Sequence, residues 1–138
     1  MSGKVKFYSR QVAQDLTNPH YIISIGENGD HWKLKHPHKS VLRLHFQDIS
    51  EFIDDTYFLF SSEQAIEIIN WIDSIPANET IIVHCEAGIS RSAAVAKFII
   101  DTYNYTLEPD RFCIPDFSLM NTYVYDTLIS EYSRLFQK

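Results

Sequence analysis

The chain has 138 residues, 45% hydrophobic and 22% charged, which allows one domain over residues 1–138 with its own core and no disulfide staples. A net charge of -6 excludes a general polyanion binder, which needs a dense field of lysine and arginine, so no nucleic-acid partner is expected. Two cysteines, a polar N-terminal segment and no apolar run near the ~20 residues of a membrane span predict a cytoplasmic, monomeric protein with no membrane partner.

In chain order, Lys4 to Tyr8 reads as a short first strand. Ser9 then caps a helical piece from Arg10 to Leu16, and Asn18-Pro19 signals a turn. Tyr21 to Ile25 is a compact apolar run followed by Gly26 and Gly29, the pattern of a strand. Residues 30–40 are polar loop. Within them, residues 31–39 form a basic stretch that reads as solvated surface, the other reading being a face for a phosphorylated partner. His36-Pro37-His38 lacks the acidic or cysteine partners of a metal site, so no metal and no cofactor is expected.

Val41 to Phe46 alternates as a strand should, and Gln47 to Tyr57 is acidic and irregular. Ser61 with Gln64 forms a capping box, after which Ala65, Ile68, Ile69 and Ile72 recur at helical spacing up to Pro76. Thr80 to His84 reads as the central strand and Ser92 to Tyr103 as a buried helix. Leu107 to Pro115 has no clear period, whereas Val124, Leu128, Tyr132 and Leu135 mark one face of a last helix. Trp32 and Trp71 read as packing residues. The alternation predicts an α/β fold with a central, mostly parallel sheet flanked by helices. Ligands in such sheets bind beyond the carboxyl ends of the strands.

Between the central strand and the helix after it lies His84-Cys85-Glu86-Ala87-Gly88-Ile89-Ser90-Arg91-Ser92. A strand, a tight loop and a helix N-terminus form an anion cradle. Consecutive loop N–H groups, from Glu86 to Arg91, can surround the oxygens of a phosphate monoester. Gly88 supplies a position free of Cβ, and Arg91 offers a planar fork that grips two oxygens at once. The same N–H groups and the helix dipole favour a thiolate at Cys85, able to attack phosphorus in line and form a thiophosphate enzyme that water then hydrolyses. The Ser92 hydroxyl is placed to stabilise the departing sulfur. His84 reads as an organiser of the loop rather than a proton carrier. Cys113 could be a redox partner for Cys85, but a spare thiol is the simpler reading.

This nine-residue segment resembles the phosphate-binding loop of the cysteine-dependent protein tyrosine phosphatases. It is nearest the compact dual-specificity branch and small bacterial tyrosine phosphatase-like proteins. The resemblance implies Cys85 as nucleophile, Arg91 as ligand of the phosphate and transition state, and Ser92 as helper in thiophosphate breakdown. Ile22 to Ile25, Leu42 to Asp48 and the helix from Glu63 match the family's layout, so the resemblance spans roughly residues 5–135 and is strongest over 80–100.

Releasing an alkoxide or phenoxide calls for a general acid. The upstream candidates are Asp48, Glu51, Asp54 and Asp55. Asp48 follows the strand Val41 to Phe46, at a carboxyl end on the same edge as the Cys85 loop, and related phosphatases carry their aspartate after the corresponding strand. The tryptophan–proline–aspartate lid of the larger enzymes is absent. Asn121 stands where related small phosphatases often have an asparagine before the last helix, which implies a loop-supporting role.

These features predict a phosphoprotein phosphatase acting on phosphotyrosine, with phosphoserine and phosphothreonine as further substrates if the site is shallow. The expected partner is a phosphorylated protein or peptide. Lipid and inositol-phosphate enzymes of the superfamily tend to carry basic residues inside the loop. Here Glu86, Ala87, Gly88, Ile89 and Ser90 include one acid and no base. RNA 5′-phosphate is disfavoured by the acidic balance. The reading from another class is a catalytically silent phosphate-binding module.

Overall fold

In the structure, a computed structural model, the apolar runs Tyr21–Gly26 and Thr80–Cys85 pair side by side in the sheet. The structure describes residues 3–27 and 33–136, so Gly29, His31 and Trp32 lie outside it. Its elements are β1 (Lys4–Ser9), α1 (Arg10–Gln14), β2 (Tyr21–Gly26), β3 (Ser40–His45), α2 (Ser62–Asp73), β4 (Thr80–Cys85), α3 (Arg91–Tyr103), β5 (Thr106–Leu107) and α4 (Thr122–Phe136). Among the described residues the strands form one five-stranded sheet in the order β3-β2-β4-β1-β5, every pair parallel.

A parallel sheet covered on both faces wants apolar side chains on both. Ile22, Ile23 and Ile25 in β2, with Ile81, Ile82 and Val83 in β4, are all buried. The edge strand β3 keeps the alternation instead, with Leu44 buried between exposed Arg43 and His45. Helix α2 begins in the expected capping box, and its buried face is Ala65, Ile68, Ile69 and Ile72. Helix α3 is buried along nearly its whole first two turns, against β1 and β4, and α4 closes over α2 and α3 through Val124 and Leu128.

The structure adjusts several boundaries. Helix α1 stops at Gln14 rather than Leu16, because Asp15 and Leu16 donate to the carbonyls three residues back, at 3.3 and 3.2 Å, tightening the last turn. The unassigned stretch from Leu107 to Pro115 holds the end of β5 and a turn. There the Asp110 carboxylate accepts the N–H groups of Phe112 and Cys113 at 2.8 and 2.9 Å.

Residues 33–39, the described part of the basic stretch, lie away from the Cys85 loop. The Lys39 N–H bonds to the His20 carbonyl at the start of β2, so this segment lies by the amino ends of the strands. Lys35 pairs with Asp15 at 2.9 Å and Lys39 with Glu79 at 2.8 Å. No helix among the described residues is long and apolar enough to cross a membrane.

Candidate active site

Parallel pairing brings the carboxyl ends of β1 to β4 to one edge, with Ser9 beside Cys85 and Gly26 beside His45. The chain leaves β4 at Cys85 and turns through residues 86–90 into α3. Gly88 makes the turn with φ +75°, in the left-handed region. A Cβ there would stand 2.4 Å from the Ser9 nitrogen and 2.5 Å from the Tyr8 carbonyl carbon, so glycine is required twice over, by conformation and by the backbone beneath it.

The Cys85 side chain is buried under this turn. Its Sγ lies 3.3 Å from the Gly88 nitrogen, which donates to it, and 3.1 Å from Ser92 Oγ. Ser90 is the N-cap of α3 but makes no side-chain cap, which leaves the first N–H groups of the helix facing the loop. Arg91 is only 4% exposed. One of its terminal nitrogens donates to the Phe46 carbonyl at 2.7 Å, while its Nε is buried with no acceptor among the described residues. The loop's acid is already neutralised, since Glu86 pairs with Arg10 at 3.3 Å and its carbonyl accepts the Arg10 N–H at 3.2 Å.

Beneath the loop, the β2–β4 register sets Ser24 directly beside His84. Burial pushes the His84 pKa down to about 4, so the imidazole is neutral at ordinary pH. Its Nδ1 faces the Cys85 carbonyl at 3.5 Å, and a carbonyl only accepts, so Nδ1 carries the hydrogen. Nε2 then accepts from the Ser24 hydroxyl at 2.9 Å. The expected organising role of His84 thus has a geometry, and Ser24 supplies its second partner. A lone serine inside an apolar strand was the available signal for Ser24.

Asp48 lies beyond the end of β3 and touches the loop itself. Its Oδ1 accepts from Ser90 Oγ and from Asn121 Nδ2, both at 2.8 Å. Asn121 also donates to the Ile49 carbonyl at 3.1 Å and accepts the Val124 N–H at 3.1 Å, capping α4. Its own N–H bonds to the Ser90 carbonyl at 3.1 Å. One asparagine therefore binds the Asp48 segment, the Cys85 loop and the last helix together. Asp54 is spent on a local turn, accepting from the Thr56 N–H at 2.8 Å and the Thr56 hydroxyl, and these bonds hold its carboxyl below the usual carboxylate range. Glu51 and Asp55 are exposed.

Cys113 is buried on the far side of β1. The Phe7 N–H donates to its Sγ at 3.5 Å, from the strand edge that turns away from β4 toward β5. Both cysteines are free in this structure, on opposite edges of β1, which fits the spare-thiol reading of Cys113. What sequence reading missed altogether is the brace beside it. Asp110 accepts from Lys6 Nζ at 2.7 Å and the Tyr8 hydroxyl at 2.5 Å, across more than a hundred residues of chain. Burial alone would raise the Asp110 pKa, but these donors bring it down to about 2.

A buried cysteine that accepts the Gly88 N–H in the turn into α3, with a buried arginine and a serine beside it, is the arrangement of a cysteine-dependent phosphatase of the tyrosine and dual-specificity type. The family model "Dual specificity phosphatase, catalytic domain" matches residues 6–110, and the chain belongs to that family. No curated protein is similar enough to register as a match.

Proposed function

We propose that the protein hydrolyses phosphotyrosine in proteins or peptides, with phosphoserine and phosphothreonine as further substrates, through a cysteinyl-phosphate intermediate. The observation that carries this reading is the meeting of Cys85 Sγ, the Gly88 N–H and Ser92 Oγ within 3.3 Å, under the loop that Arg91 closes.

Cys85 sulfur attacks phosphorus as the bond to the leaving oxygen breaks, while the loop N–H groups and Arg91 hold the three remaining oxygens. Asp48 gives the leaving oxygen its proton. Both of its described bonds fall on Oδ1, so Oδ2 is the oxygen that carries it. Water then attacks phosphorus, returning the proton to Asp48, and Ser92 steadies the sulfur as it leaves. Ser90 and Asn121 position Asp48, and His84 holds the carbonyl at the loop's base. Neutral Glu86–Arg10 pairing and the lack of a base between Cys85 and Arg91 favour a singly phosphorylated substrate over a phosphoinositide or an RNA 5′-phosphate.

Turnover of nitrophenyl phosphate, abolished by Cys85→Ser, tests the reading. Vanadate binding without turnover in the intact protein would replace it with the silent phosphate-binding module. Phosphotyrosine and phosphothreonine peptides of matched sequence then divide the substrate classes.

A further inference from the structure

We propose that the groove beside the Cys85 loop selects the substrate, taking an apolar side chain one to three residues from the phosphorylated residue of a peptide. This deepens the phosphatase reading and rests on it. A cavity of about 430 Å³ lies against the loop, with Ala87, Gly88 and Ile89 in its wall, so it is continuous with the phosphate-binding segment. Phe7 and Val12 line it from β1 and α1, and the segment after Asp110 supplies the opposite side. In that segment Phe112, Ile114 and Leu119 are 55%, 60% and 65% exposed, and Ile89 across from them is 49% exposed. Apolar surface gathered at the mouth of a site in this way marks where a partner is bound.

The groove has length as well as depth. A second cavity of about 500 Å³ shares Ser9, Val12 and Phe112 with the first, so the trough continues past the Phe112 ring along α1. An extended peptide rises about 3.3 Å per residue, which brings the first three neighbours of a residue held in the loop alongside this trough. The charged residues on its border are Arg111, Asp116 and Asp15, and the Arg111 guanidinium lies 5.1 Å over the Phe112 ring. There is no cationic field for several phosphates. Residues 111–119 also follow the residues that the family model matches, so this wall belongs to the chain's own sequence beyond that match. A peptide delivers a phosphate and an apolar side chain at fixed spacing, and burying the side chain away from the reacting centre raises kcat/KM.

The test is a set of phosphotyrosine peptides with leucine or serine at each position from three before to three after the phosphotyrosine, assayed with the intact protein, Phe112→Ser and Ile114→Ser. Nitrophenyl phosphate is the reference substrate, and circular dichroism checks the fold. The expected result is a leucine preference of about 10-fold in kcat/KM at one or more positions, falling severalfold in the variants while nitrophenyl phosphate turnover stays unchanged. Equal rates for leucine and serine peptides, with nitrophenyl phosphate still turned over, overturn the proposal and leave the phosphatase reading standing. A preference that survives both substitutions removes it from this groove. Faster hydrolysis of a short-chain phosphoinositide than of every peptide overturns the choice of partner. Absence of nitrophenyl phosphate turnover overturns both readings.

Discussion

Lowering the pH should destabilise this protein, chiefly through the histidine under the loop. His84 is wholly buried, and desolvation moves its pKa from 6.5 to about 4. Between those values the unfolded chain holds more protons than the folded one, so stability rises with pH. The loss begins as pH falls through about 6.5 and levels off below about pH 4. From these two values it is on the order of 2–3 kcal/mol at pH 4.5, against a total stability that is typically about 5–15 kcal/mol. Asp110 is shifted in the same direction, its partners holding it near 2, but its contribution is lost only as pH falls below about 3.8. It therefore leaves a measurement at pH 4.5 nearly untouched. His20 and His38 are also lowered by burial and act in the same direction as His84, so the isolating comparison is His84→Gln, whose amide still reaches Ser24. Urea unfolding at pH 7.5 and 4.5 should show the wild type losing roughly 2–3 kcal/mol more than the variant. Parallel losses in the two proteins would refute the assignment of the proton to His84.

Gly88→Ala should abolish turnover and vanadate binding, because the new methyl meets the Ser9 and Tyr8 backbone at 2.4 and 2.5 Å and cannot relax as a side chain would. A retained rate within about 10-fold would contradict that packing. Asp48→Ala should slow hydrolysis of phenyl phosphate about 10²-fold or more, and nitrophenyl phosphate far less, since the better leaving group needs no proton. Asn121→Ala should cost about 1 kcal/mol in thermal or urea unfolding through loss of the α4 cap. Asn121→Asp keeps the cap oxygen but sets a carboxylate against Asp48, so it should spare stability better than alanine while still impairing phenyl phosphate turnover.

The parts legible in the sequence are those whose physics is local. The capping box at Ser61, the apolar runs of β2 and β4, and the strand–loop–helix around Cys85 each depend on neighbours within a few residues. The family reading rested chiefly on that loop and was extended by the layout of Ile22 to Ile25, Leu42 to Asp48 and the helix from Glu63. What stayed hidden depends on register and packing. The partner that Arg91 finds is a carbonyl at Phe46, and backbone acceptors leave no mark in residue identity. The Lys6–Tyr8–Asp110 brace joins a first strand to a turn near the other end of the chain, and no spacing rule connects them. Asp48 could be placed on the correct edge from strand direction. Its bond to Ser90 required the fold, and so did the diversion of Asp54 into a turn with Thr56.

The buried guanidinium of Arg91 carries a consequence for stability as well as for chemistry. At 4% exposure it is nearly dry, one nitrogen is satisfied by Phe46, and Nε has no acceptor among the described residues. An unmade bond from a buried donor costs about 1–3 kcal/mol, and more for a charged group. A tetrahedral dianion in the loop supplies the missing acceptor and a countercharge together, so it should bind the folded chain and not the unfolded one. At about 100 times its Kd such a ligand adds about 2.7 kcal/mol, which for a chain of this length is roughly a 10 °C rise in Tm. Vanadate, or phosphate with Cys85→Ser to exclude covalent chemistry, should produce that rise in a thermal melt. Arg91→Lys retains the charge but not the fork, and at the same concentration its rise should shrink to a small fraction. An equal rise in Arg91→Lys would mean that the loop N–H groups alone hold the anion and that the buried fork serves the fold. No rise in the wild-type chain would remove the anion from the loop altogether.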